Sequence, residues 1–171
     1  MMKEMKKIGL FYATKADKTS WVAKKIQEAF GKEAEAVEVA DALQSDFEAY
    51  DRLIVGASTW FDGELPTYWD ELLPELESLH LKGKKVALFG LGDEVRYCDN
   101  FADGLGILAE LFERAGATLV GFTSTEGYTF RKSRALRDDK WCGLVVDLDN
   151  HSEEAEKRIS DWCKQVKVEF E

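Results

Sequence analysis

Residues Lys7 to Phe30 read KIGLFYATKADKTSWVAKKIQEAF. A short apolar run, Lys7 to Ala13, gives way to a polar loop and then to a helical pattern over Lys18 to Phe30. In that helix Val22, Ile26 and Phe30 share one face. A buried strand feeding directly into a helix is the opening half of a βαβ unit.

The same alternation repeats outward along the chain. Ala34 to Val39 alternates weakly and predicts a second strand; Tyr50 to Ala57 (YDRLIVGA) predicts a third. Pro66 opens a helix carrying Trp69, Leu72, Leu73 and Leu76, with Pro74 as a kink or break. Lys85 to Leu91 (KVALFGL) predicts a fourth strand, and Phe101 to Ala115 a helix stopped by Gly116. Ala117 to Phe122 starts a fifth strand, and Leu144 to Leu148 is another apolar run. Glu153 to Val168 closes the chain as an amphipathic helix with Ile159, Trp162 and Val166 inward. Trp21, Trp69 and Trp162 are assigned to the core, as are the thiols of Cys142 and Cys163. Such an order predicts one α/β domain over residues 1–171, a parallel sheet with helices on both faces and right-handed crossovers.

Composition narrows the function. The 171 residues carry a net charge of −10, which argues against nucleic acid as a partner and for basic-surfaced protein partners. Cys98, Cys142 and Cys163 form no CxxC pair, and His80 and His151 stand apart in the chain, so no metal site is expected. The apolar run after the N-terminal lysines is too short for a signal or an anchor, and no stretch is long enough to span a bilayer. A cytoplasmic monomer is the expectation.

In doubly wound sheets, ligands bind beyond the carboxyl ends of the strands. The loop Thr14-Lys15-Ala16-Asp17-Lys18-Thr19 leads into a helix start, where free N–H groups cradle an anion; Thr14 and Thr19 add hydroxyls. The plain alternative is an N-cap by Asp17 or Thr14. Lys18-Thr19 resembles the end of a triphosphate-binding loop, but Tyr12 and Asp17 occupy its glycine positions. A phosphate-receiver domain is excluded by Phe11-Tyr12, Ser58 and Phe122-Thr123 where it needs acids, an aspartate and a lysine. The loop after the third strand holds Ser58, Thr59, Trp60, Phe61, Asp62 and Gly63. The loop after the fourth holds Gly92, Asp93, Tyr97, Cys98 and Asn100. Each places an aromatic just past a strand end, and two facing aromatics sandwich a planar ring.

The stretches KIGLFYAT, YDRLIVGASTW, GELP, KGKKVALFGLGD, YCDNF, STEGYTF and GLVVDLDN, taken in order with the final helix, resemble the flavodoxin family over nearly the whole chain. The resemblance implies a five-stranded parallel sheet of order 2-1-3-4-5. Ser124 to Gly143 matches the insertion that splits the last strand in long-chain members. It implies non-covalent FMN, with its phosphate in the Thr14 to Thr19 loop and its ring between Trp60 and Tyr97. Backbone groups near Asp93 and Cys98 then reach the pyrimidine edge, Asp149 approaches the ribityl chain, and the Phe61–Asp62 peptide faces the flavin N5. The implied function is low-potential, one-electron transfer between a reductase and acceptor enzymes, with no catalytic residue of the protein's own.

Five positions depart from the family pattern. Ala16 lacks the hydroxyl usual there, Asp17 replaces glycine, Arg96 replaces the glycine before Tyr97, and Phe61 and Asp62 differ from the common Asn-containing turn. One lost hydrogen bond to a charged group costs about 1.5–3 kcal/mol, or roughly ten- to a hundredfold in affinity. A binding or regulatory module with a weakened or lost FMN site is therefore the alternative function. An ion pair between Arg96 and Asp17 is conceivable, although solvent is the simpler destination for Arg96. A flavin enzyme such as a quinone reductase is disfavoured, because no substrate-directed acid, base or extra domain is evident.

Overall fold

A computed structural model describes residues 7–59 and 63–171. The strands are β1 (Ile8–Tyr12), β2 (Ala34–Glu38), β3 (Arg52–Ser58), β4 (Lys85–Leu91), β5 (Thr118–Val120), β6 (Thr123–Ser124), β7 (Leu136–Arg137), β8 (Lys140–Trp141) and β9 (Leu144–Val146). The helices are α1 (Asp17–Phe30), α2 (Gln44–Glu48), α3 (Tyr68–Glu77), α4 (Asp103–Arg114) and α5 (Ser152–Glu169). The main sheet runs β2-β1-β3-β4-β5, all parallel, as the sequence predicts.

β1, β3 and β4 are apolar at nearly every position because both of their faces are covered. Ile8, Leu10, Ile54, Ala87 and Phe89 turn toward α1 and α5, where they meet Val22, Ile26, Ile159 and Trp162. Phe11, Leu53, Val55, Val86 and Leu88 turn the other way, onto Phe47, Trp69, Leu72, Leu105 and Phe112. Gly56 sits opposite Phe89 in the ladder, and the Phe89 ring lies across it. A Cβ on Gly56 would stand 2.0 Å from the ring, so only glycine admits this packing.

The fifth strand is split. β5 pairs with Lys85 to Ala87, and β9 resumes beside Phe89 to Leu91. The strand predicted to reach Phe122 stops at Val120 because Gly121 turns with φ +82°. α5 closes this break. Trp162 Nε1 donates to the Gly121 carbonyl at 2.8 Å, Gln165 donates to the Phe122 carbonyl at 2.8 Å, and Glu169 accepts the Gly121 amide at 2.7 Å. Between β5 and β9 the insertion forms its own antiparallel sheet, β6-β8-β7, and packs Tyr128, Phe130 and Trp141 around Phe101.

Several local expectations are corrected. Trp21 is 36% exposed, with Lys25 Nζ 5.5 Å from its ring centre; it lies on the flank of α1 away from Val22 and Ile26. Trp69, Leu72 and Leu76 are buried as expected, and the side chain of Leu73 lies outside the described set. α3 runs through Pro74 without ending there. α4 starts at Asp103, two residues later than predicted, because Ala102 has φ +55°. No described helix is long and apolar enough to cross a membrane.

Candidate functional site

Beyond Tyr12 the chain folds into a tight loop. The Ala16 amide donates to the Ala13 carbonyl at 3.1 Å, and Ser20 Oγ donates to the Thr14 carbonyl at 2.7 Å. α1 starts at Asp17, so the capping position falls to Ala16, which has no side-chain oxygen. The plain alternative, a cap by Asp17 or Thr14, is thus not formed: Asp17 is already inside the first turn, and Thr14 bonds to Glu38. The first-turn amides of α1 have no acceptor within their own helix, an arrangement that suits an anion. Thr14 gives both of its donors to Glu38 at the end of β2. Lys18 reaches across to Asp149, Nζ to Oδ1 2.7 Å. Lys15 is exposed and Thr19 is buried beneath the loop.

At the end of β3, the Thr59 amide donates to the Leu91 carbonyl at 3.2 Å, which ties the loops after β3 and β4 together. Thr59 Oγ1 accepts the Gly104 amide at 2.9 Å from the start of α4. A side chain at Gly104 would press on the Ser58 carbonyl and Thr59 Oγ1, each 3.0 Å from its Cβ. Gly63 is buried against Asn100 and Asp103. Trp60, Phe61 and Asp62 lie outside the described residues.

The loop after β4 is organised by Asp93. Its Oδ1 accepts the amides of Val95 and Arg96, both at 3.0 Å, and Asn150 Nδ2 at 2.9 Å. The Tyr97 amide closes back on the Asp93 carbonyl at 3.0 Å. Tyr97 is left 41% exposed, its ring at the rim. Arg96 points largely into solvent, 4.0 Å from Asp93, and is not paired with Asp17. Cys98 offers its carbonyl to the amides of Arg131 and Lys132 at 2.7 and 3.1 Å, so the insertion backs the loop.

Burial raises the Asp93 pKa, but the N–H donors and the nearby guanidinium outweigh it and hold the carboxyl below its ordinary 3.8. A depressed folded-state pKa contributes stability above the ordinary value, and that stability is lost as pH falls through the folded value. Denaturant titrations across the acid range should therefore give Asp93→Asn a flatter pH profile than the parent below about pH 4. Equal slopes would remove Asp93 from the loop's support.

These loops enclose a cavity of about 410 Å³ at the carboxyl ends of the strands. That volume lies within the range of small-ligand sites. The α1 start contributes Ala16, Asp17, Lys18 and Thr19. Ser58 and Thr59 form a second wall, Gly92, Asp93 and Tyr97 a third, and Asp149 the side toward α5. Ten residues singled out from the sequence thus meet in one pocket. Thr14, Lys15, Gly63, Cys98 and Asn100 stand behind it or beside it instead. Arg96, Leu91 and Leu148 also line it. A larger cavity, about 670 Å³, lies between α5 and the insertion near Arg158 and Gly127, apart from the loops after β1, β3 and β4.

One cluster escapes the sequence altogether. Glu94, Asp147 and His151 converge behind the Asp93 loop, with His151 Nε2 against the Glu94 carboxylate. Glu94 also accepts the Thr129 amide at 2.6 Å. Asp147, only 1% exposed, accepts the amides of Glu94, Asp149 and Asn150 and the Asn150 side chain. All four carboxylate oxygens of Glu94 and Asp147 take part in hydrogen bonds, so the cluster is a brace joining the loop, the insertion and the α5 start.

A doubly wound sheet with an anion cradle at its first helix and a ligand-sized pocket at its strand ends defines a nucleotide-binding α/β protein. The flavodoxin family model matches residues 10–162, and the chain belongs to the flavodoxin family. It is 44% identical to a flavodoxin of Synechococcus elongatus over 97% of this chain and 99% of that protein. It is 45% identical to a flavodoxin of Nostoc sp. over 96% of this chain and 98% of that one. Among solved structures, Fusobacterium nucleatum flavodoxin bound to flavin mononucleotide superposes with a TM-score of 0.92 at 32% identity. That match covers 98% of this chain and all of that one.

Proposed function

We propose that this chain is a low-potential, one-electron carrier that holds FMN non-covalently in the strand-end pocket and works between a reductase and acceptor proteins. The observation that carries the reading is the convergence of four loops on one ligand-sized pocket, with an anion cradle at one end and an exposed tyrosine ring at the other. The residues present fit the cofactor. The first-turn amides of α1 suit a phosphate, and Tyr97 offers a ring face.

FMN supplies the redox chemistry when bound. The protein's own part is to orient it and set its electrostatics. Asp17, Asp93 and Asp149 line the pocket against Lys18 and Arg96, so the local field opposes added negative charge. Such a field favours giving an electron away, which is a low potential. The same acidity suits basic-surfaced partners, whose encounter it speeds. The carrier acts as a monomer in the cytoplasm, with no nucleic acid or membrane partner.

The test is to strip the protein of flavin and titrate FMN while following its fluorescence, then to reduce the complex stepwise in an electrochemical cell. Quenching at stoichiometric FMN and two separate one-electron steps at low potential are expected. Failure to bind FMN would leave a module without a cofactor. Turnover of NAD(P)H by the purified protein alone would make it a flavin enzyme.

A further inference from the structure

Thr14 opens the phosphate loop, yet in this structure it is committed elsewhere. β2 lies beside β1 with Glu38 level with Tyr12, so the Glu38 carboxylate stands next to the loop's first residue. One carboxylate oxygen accepts both the Thr14 amide, at 2.8 Å, and the Thr14 hydroxyl. The other accepts the Ala40 amide at 3.2 Å. A threonine has one amide proton and one hydroxyl proton. Both are spent on Glu38, and neither is left for a phosphate.

We propose that Glu38 sets how strongly the pocket prefers a phosphorylated flavin over the same flavin without its phosphate, by competing for the donors of Thr14. This inference rests on the FMN reading above. A carboxylate and a phosphate monoester are both oxygen anions that seek the same N–H and O–H donors, and they repel one another. The neighbouring groups do not offset the competition. Ala16 brings no hydroxyl, Asp17 adds a second carboxylate at the helix start, and Lys18 is engaged with Asp149. Lys15 is the cation that acts on Glu38 itself. What remains for a phosphate is the first-turn amides of α1 and the Thr19 hydroxyl. Thr14 and Glu38 both stand beside the helix-start end of the cavity rather than in its lining, so a flavin without its phosphate brings no anion to compete with Glu38. The protein as it stands therefore discriminates between FMN and riboflavin less than it would with the Thr14 donors released.

The experiment titrates FMN and riboflavin against the full-length protein freed of flavin, for the parent, Glu38→Gln and Glu38→Ala. FMN should bind about tenfold tighter in Glu38→Ala, the scale of one charge-assisted hydrogen bond. Glu38→Gln should shift FMN affinity in the same direction, and riboflavin affinity should stay put in both, which also reports that the pocket is folded. Adding Thr14→Val to Glu38→Ala should remove the part of the FMN gain that the freed hydroxyl supplies and leave the part owed to the freed amide. An unchanged FMN-to-riboflavin ratio, or both ligands weakening together, overturns the proposal and leaves Glu38 as a brace for the loop. A parent protein that binds neither flavin overturns the FMN reading itself, a different result from a parent that binds both with a ratio that no Glu38 variant moves.

Discussion

Asp147→Ala should lower the thermal midpoint by on the order of 10 °C. The carboxylate is buried and receives four donors, three of them backbone amides in two different loops. Alanine leaves those amides without an acceptor. Each buried unsatisfied donor costs about 1–3 kcal/mol, and water reaching some of the freed groups trims the sum to about 3–5 kcal/mol. At this chain length each kcal/mol moves the midpoint by roughly 2–4 °C. Asp147→Asn keeps one acceptor oxygen and should fall between the two. Scanning calorimetry on the three proteins decides the matter. A shift below about 3 °C for the alanine variant would show that the Asp93 loop and the α5 start hold together without this anchor.

Trp162→Ala is the second large effect, about 3–5 kcal/mol by denaturant titration. The indole is 1% exposed, packs near Phe89, and donates to the Gly121 carbonyl where the fifth strand breaks. Its loss combines a cavity with an orphaned carbonyl, and both fall on the same junction. Amide exchange in Thr118–Val120 and Leu144–Val146 should quicken more than in β1 or β3, because the Trp162 hydrogen bond to Gly121 falls at the break between them. Trp162→Phe restores most of the packing but not the donor, and should recover all but about 1 kcal/mol. A loss under about 1 kcal/mol for the alanine variant would mean that α5 does not hold the break.

Much of this architecture is legible in the chain itself. β1, β3 and β4 are unbroken apolar runs because they are covered on both faces, and such runs stand out without any neighbour being known. α5 shows its buried face through Ile159, Trp162 and Val166 at helical spacing. Trp21 misleads because aromatic character suggests burial, whereas its position beside Lys25 on the helix flank puts it in reach of solvent. α2 has five residues, too few for a period to show, and its start is held by Asp46 accepting the Leu43 amide at 2.8 Å.

The pocket's walls are equally readable, since loops at strand ends must converge in this topology. The groups behind the walls are not. Glu38 meets Thr14 only because β2 lies beside β1, and 24 residues separate them in the chain. His151 meets Glu94 across 57 residues. Sequence neighbours give no hint of either contact, because each is set by the order of strands in the sheet rather than by local chemistry.

The divided fifth strand also has a consequence for the order in which the protein is assembled during synthesis. As the chain leaves the ribosome, β5 can dock on Lys85 to Ala87 as soon as it emerges. Phe89 to Leu91 must wait until translation has advanced from Val120 to Leu144. At roughly 5–20 residues per second that interval is on the order of seconds. For that time the nascent domain carries a short, apolar, half-finished sheet edge, the kind of surface to which holding chaperones and neighbouring nascent chains bind.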